Sequence, residues 1–122
     1  MEYLYQDLTK SIIGLVFDMY NSMKYGYQEK YYQRAYELLL LENKILYKKE
    51  LCVPIYFKDR IIGRYFIDFL IENKLVLEFK VGKEIKDQHI QQVLAYLKTN
   101  NLKLGLIALL TDKKVEIKRV IN

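Results

Sequence analysis

Two acids and a lysine near the middle of the sequence are the residues best placed to do chemistry: Asp68, Glu78 and Lys80. Glu78 and Lys80 are two apart in Leu75-Val76-Leu77-Glu78-Phe79-Lys80, an apolar run that reads as a strand. Their side chains therefore share a face, while Leu77 and Phe79 turn the other way. Asp68 lies in the preceding apolar run, Tyr65-Phe66-Ile67-Asp68-Phe69-Leu70. Asn73 is midway between Asp68 and Glu78, so a hairpin closing through Glu72-Asn73-Lys74 puts the two acids directly across from each other. Side chains so opposed are about 4.5–5.5 Å apart at Cβ. Carboxylates at that range repel unless a proton or a cation lies between them, and a hard, oxygen-ligated ion such as Mg²⁺ or Mn²⁺ supplies the charge. A Glu-x-Lys pair on a strand ordinarily marks a solvated face of alternating charge. Here the charges interrupt segments that otherwise read as core, where a charge is costly unless paired or liganded.

The elements that must position these residues follow from hydrophobic spacing. Leu4, Leu8, Ile12, Leu15, Met19 and Met23 form one stripe at helical period, which predicts a helix from Glu2 to about Lys24, with Gly26 suited to a left-handed closing position. A second helix is expected from Gln28 to Asn43, with Tyr32, Ala35, Leu39 and Leu40 inward. Three strands follow: Leu51 to Phe57, where Pro54 argues for an edge position, then Ile61 to Ile71 after the turn signal Lys58-Asp59, then Leu75 to Lys80. They read as an antiparallel meander. Helical spacing returns over Glu84 to Asn100, with Ile90, Val93, Leu94 and Leu97 on one face. Lys103 to Leu110 is apolar almost throughout, as a strand buried on both faces should be. After a turn at Thr111-Asp112-Lys113-Lys114, Val115 to Val120 is the last strand. The order is α-α-β-β-β-α-β-β, and with no repeat or linker the expectation is one domain over residues 1–122.

Composition narrows the class. In 122 residues, hydrophobic side chains make up 52% and charged ones 29%, enough for both a core and a solvated surface. A single cysteine, Cys52, excludes an internal disulfide framework. The apolar runs are too short to span a bilayer, and the first ten residues do not read as a signal peptide, so a cytoplasmic location is expected. The net charge of +5 is compatible with a polyanionic partner. Lys80, Lys83, Lys86, Arg60 and Arg64 are expected to form a positive surface beside the acids. The 12 tyrosines could stack on bases or pack a core or interface, and Tyr25, Tyr27, Tyr31 and Tyr32 are candidates for contacts in a homo-oligomer.

The order Gly63-Arg64-Tyr65-Phe66-Ile67-Asp68-Phe69-Leu70, then Leu75-Val76-Leu77-Glu78-Phe79-Lys80, then Gln92-Val93-Leu94-Ala95-Tyr96-Leu97 resembles the GxxExxR protein family. That family is grouped with the PD-(D/E)XK nuclease superfamily. Gly26-Tyr27-Gln28-Glu29 is similar to its N-terminal motif, and Leu102 to Ile107 and Ile117 to Val120 resemble its last two strands. The chain departs from the family label in having Tyr32 where an Arg is named, with Arg34 two positions on, and Ile67 before Asp68 in place of Pro.

The resemblance implies a restriction-endonuclease-like core, a mixed sheet flanked by helices, and metal-dependent hydrolysis of phosphodiester bonds in nucleic acid, DNA before RNA. It implies that Asp68 and Glu78 ligate Mg²⁺ or Mn²⁺, with the Phe79 carbonyl a further candidate. Lys80 would then act on the attacking water and the phosphate, Glu29 would be an accessory acid, and Gln92 would point at the same site. The competing reading is a catalytically inactive binding or assembly module that keeps the fold. A phosphate-loop enzyme finds no glycine-rich loop, since Val81-Gly82-Lys83 is too short a signal. His89, the only histidine, reads as surface or structural, and Cys52 has no catalytic motif around it.

Overall fold

The computed structural model describes residues 5–122, so the expected start of the first helix at Glu2 to Leu4 lies outside the described residues. The expected order of elements is observed: α1 (Gln6–Met23), α2 (Glu29–Glu42), β1 (Tyr47–Phe57), β2 (Arg60–Ile71), β3 (Leu75–Val81), α3 (Asp87–Thr99), β4 (Leu104–Leu110) and β5 (Val115–Ile121). Lys24 closes α1 in the left-handed region, its N–H donating to the Tyr20 carbonyl, and Gly26 also has positive φ, +127°. The expected start of β1 at Leu51 is too late by four residues. Tyr47 to Lys49 pair with Ile71 to Phe69, and their charged or amphipathic side chains give no strand pattern.

The five strands form one mixed sheet in the order β1-β2-β3-β4-β5. β1, β2 and β3 are the expected antiparallel meander, β3 and β4 run parallel across α3, and β5 returns antiparallel to β4. β1, which holds Pro54, is an edge strand, where a missing N–H costs least. The β1–β2 hairpin turns through Lys58 and Asp59, both at positive φ, as a two-residue turn matched to strand twist requires. β4 is buried along its whole length. Among the described residues no helix is long and apolar enough to cross a membrane.

Apolar contacts lie on both sides of the sheet. On one side Ile12, Val16, Tyr36 and Leu40 of α1 and α2 pack on Phe69, Leu77, Phe79 and Leu106. On the other, Val93, Tyr96 and Leu97 of α3 pack on Ile67, Val76 and Ile107. Tyr32 is fully buried on the first side, and its hydroxyl donates to the Lys24 carbonyl at 2.6 Å. The expectation that Tyr32 serves an oligomer contact is thereby corrected: the α1–α2 junction encloses it. Tyr25, Tyr27 and Tyr31 remain exposed.

One irregularity decides where the chemistry sits. Phe69 and Ile71 face α1 and α2, yet Ile67, two residues earlier, packs with α3. A regular strand keeps such residues on one face. Facing changes at Asp68, opposite Glu50, whose φ is +56° and which drops out of the ladder between Lys49↔Phe69 and Leu51↔Ile67.

Candidate functional site

The β2–β3 register is the one expected from the midpoint at Asn73: Ile71↔Leu75, Leu70↔Val76 and Phe69↔Leu77. Glu72 and Asn73 close the turn with φ of +53° and +56°. The next pair would be Asp68↔Glu78, and there the backbone ladder stops. Side chains take over the amides: Asp68 N–H donates to Glu78 Oε1 at 3.0 Å, and Phe79 N–H donates to Asp68 Oδ2 at 2.7 Å. The two carboxylates thus satisfy backbone donors that a continuous ladder would have paired.

Each acid has a second partner. Gln33 Nε2 donates to Asp68 Oδ1 at 2.7 Å, and the Tyr65 hydroxyl donates to Glu78 Oε2 at 2.5 Å. Lys80 Nζ is 3.7 Å from Glu78 Oε2 and 5.9 Å from the centre of the Tyr65 ring. Glu78 is 2% exposed, a buried carboxylate held by a hydroxyl, an amide and an ammonium. Glu29, in the first turn of α2, completes the group. Its Oε1 accepts from Val81 N–H at 3.2 Å and its Oε2 lies 3.5 Å from Gln33 Nε2. Helix α2 and strand β3 therefore meet at the same end of the fork.

Charge is crowded here. Burial, then the neighbouring Glu78, pushes the Asp68 carboxyl up to about 9, while the Phe79 amide opposes the rise. Burial also raises Glu29, opposed by Lys80 and reinforced by Glu78. Burial and Glu78 raise the Tyr65 hydroxyl, which keeps it protonated as a donor. The cluster is short of positive charge, and a cation would relieve that shortage more fully than a proton on Asp68.

Whether these residues suit a divalent ion can be read from their donors. All are carboxylate oxygens, the choice of Mg²⁺ and Mn²⁺ over softer metals. Each oxygen that accepts one hydrogen bond keeps a second lone pair. Among the described residues no three His, Cys, Asp or Glu side chains are arranged to hold an ion by themselves. Two carboxylates, with waters and substrate oxygens completing the shell, is the manner in which Mg²⁺ is commonly bound. The donor set fits.

The remaining expected residues are placed as follows. Gln92 is half-buried on α3, one turn beyond His89; among the described residues no hydrogen bond joins it to the carboxylates. His89 Nδ1 accepts from Lys86 N–H, a structural role at the start of α3. Lys83 and Lys86 share a pocket with Lys80. Arg60 opens β2 and Arg64 precedes Tyr65 on the same strand, both exposed. Two contributors escaped sequence reading. Gln33 had a signal, four residues after Glu29 on the same helical face. Tyr65 had none, because regular alternation puts it on the face opposite Asp68.

Residues 6–120 match the model of the PD-(D/E)XK nuclease superfamily. Among solved structures, the crystal structure of SSO0001 is similar at a TM-score of 0.53 and 16% identity, over 91% of this chain. The match spans 65% of that protein's length. No curated protein matches the sequence.

Proposed function

This chain belongs to the PD-(D/E)XK nuclease superfamily and has its restriction-endonuclease-like fold, and on that basis we propose that it hydrolyses phosphodiester bonds in nucleic acid, DNA before RNA, with Mg²⁺ or Mn²⁺. The observation that carries the reading is the fork itself: the β2–β3 ladder opens at Asp68 and Glu78, and Glu29 and Lys80 converge on the opening. Within the superfamily, the GxxExxR family is the assignment we favour. It rests on Gly26-Tyr27-Gln28-Glu29, which delivers Glu29 to the fork. We take residues 1–122 to act as one domain, working in the cytoplasm.

Asp68 and Glu78 are the ligands in this reading, with the Phe79 carbonyl as a third candidate. When bound, the ion polarises a phosphoryl oxygen and lowers the pKa of water near it. The chain's own groups do the rest. Gln33 and the Phe79 amide fix both oxygens of Asp68, so its orientation is set before a substrate arrives. Tyr65 and the Asp68 amide do the same for Glu78. Lys80, already drawn toward Glu78, supplies an ammonium to orient water and offset charge that develops on the phosphate. Glu29 accepts a proton or holds a second water, burial having raised its carboxyl above the ordinary value. Gln92 is assigned a polar contact to the substrate from α3.

The test is cleavage of plasmid and single-stranded DNA with and without Mg²⁺ or Mn²⁺, beside Glu78→Gln. Metal-dependent cleavage lost in the variant supports the reading. Absence of both cleavage and metal binding, with nucleic acid present, sinks it and leaves a binding or assembly module.

A further inference from the structure

Two pockets border the carboxylate cluster. One, of about 220 Å³, is lined by Asp68 together with Lys30, Arg34 and Lys49. The other, of about 420 Å³, is lined by Lys80 together with Lys83, Lys86 and His89. Asp68 and Lys80 are joined through Glu78, which accepts the Asp68 amide at 3.0 Å and lies 3.7 Å from Lys80 Nζ. The cluster is therefore the ground between the pockets.

Both pockets hold uncommitted cations. Among the described residues Lys30, Arg34, Lys83 and Lys86 form no ion pair. Lys30 and Arg34 lie 5.3 and 5.5 Å from the centre of the exposed Tyr31 ring. Glu37 is already taken by Lys49 at 3.1 Å and by the Tyr47 hydroxyl. Lys30 and Arg34 then face Glu50 and Asp68, a balance that would tip to one cation in excess once Asp68 holds a metal ion, and Lys83 and Lys86 face Glu84 alone, which leaves one cation in excess.

We infer that the substrate strand crosses the cluster from one pocket to the other, with phosphates on either side of the cleaved bond against Lys30 and Arg34 in one and Lys83 and Lys86 in the other. This rests on the nuclease reading above and goes beyond it. A strand gripped on both sides of the cleaved bond is an internal stretch of polynucleotide, whereas trimming requires a chain end at the cluster. Cleavage is accordingly endonucleolytic. One water is consumed: its oxygen bonds to phosphorus, the bond to the leaving sugar oxygen breaks, and that oxygen takes up a proton. The products are one phosphomonoester end and one hydroxyl end.

The experiment compares covalently closed circular DNA, single-stranded and duplex, with the same molecules made linear, using the full chain and Mg²⁺. At least one circular form is expected to be opened and then shortened to fragments. Lys30→Glu with Arg34→Glu, and separately Lys83→Glu with Lys86→Glu, should each slow opening by about tenfold or more at moderate salt, through lost phosphate contacts. Thermal unfolding should be nearly unchanged, because all four side chains are exposed. Intact circles beside linear DNA consumed from its ends would keep the nuclease reading and overturn the endonucleolytic one. Circles opened at full rate by both double variants would overturn the strand path. Cleavage of neither form would remove the nuclease reading, and this inference with it.

Discussion

Replacing Lys80 by methionine separates metal binding from hydrolysis. The substitution keeps the length of the side chain and deletes its charge. Lys80 Nζ is 3.7 Å from a Glu78 oxygen, and the two side chains are 20% and 2% exposed. At an effective dielectric of about 20, two unit charges at that separation attract by about 4 kcal/mol. That attraction is lost in Lys80→Met, but Glu78 keeps the Tyr65 hydroxyl and the Asp68 amide. The metal-free variant should therefore fall at the low end of the cost of breaking a buried pair, about 3 kcal/mol. The same ammonium repels a cation held by Glu78. Even about one third of the pair energy, acting on that ion, amounts to tenfold in Kd, so Mn²⁺ should bind Lys80→Met more tightly than wild type. Added metal should also recover the lost stability by mass action. Hydrolysis should nonetheless drop by about 10²-fold or more, the usual size of one electrostatic contact to the transition state. Glu78→Ala should do the opposite to the ion, weakening Mn²⁺ binding while also abolishing cleavage. Calorimetric titration with Mn²⁺, thermal unfolding and a cleavage assay on all three proteins check this. Weaker Mn²⁺ binding by Lys80→Met, or cleavage at the wild-type rate, would refute the division of roles.

Three further outcomes follow from the same contacts. Tyr65→Phe deletes a donor to a buried carboxylate and should cost about 1.5–3 kcal/mol in chemical denaturation; a loss near zero would mean the hydroxyl is not needed by Glu78. The Tyr47 hydroxyl, then Lys49, holds the Glu37 carboxyl below its ordinary value. Its contribution is whole above about pH 5 and is lost as pH falls through the folded pKa, so the melting temperatures of wild type and Glu37→Gln should differ near neutrality and draw together as pH falls. A difference that does not change with pH would rule the pairing out. Gly105→Ala should destabilise by about 1–3 kcal/mol, because a Cβ there meets Val93 Cγ1 at 2.6 Å, under α3. A neutral result would show that α3 rides more loosely on β4.

The element order and the β2–β3 register were legible because each rests on local signals. Apolar spacing changes from helical to extended at the right places, and Asn73 marks the turn that sets Asp68 against Glu78. The start of β1 was not legible, since Tyr47 to Lys49 pair through backbone groups while their side chains follow no alternation. Tyr32 illustrates the opposite limit. Its helical spacing reads as inward while its tyrosine-rich neighbourhood reads as an interface, and the folding of α2 back against α1 decides for burial.

The sequence by itself determined that two acids and a lysine would meet on neighbouring strands of a mixed α/β fold, because strand period and turn position leave side chains little freedom of direction. It could not determine that the strands would part there. The fork depends on Glu50 adopting positive φ across from Asp68, on the sheet changing face at that point, and on carboxylates replacing backbone partners for the Asp68 and Phe79 amides. Nor could local spacing bring Glu29 against Val81 of β3 or Gln33 against Asp68 of β2, some 35 to 50 positions away. Those contacts arise from how helices dock on a sheet, and docking is settled by the shape of the buried surface, which no local spacing encodes.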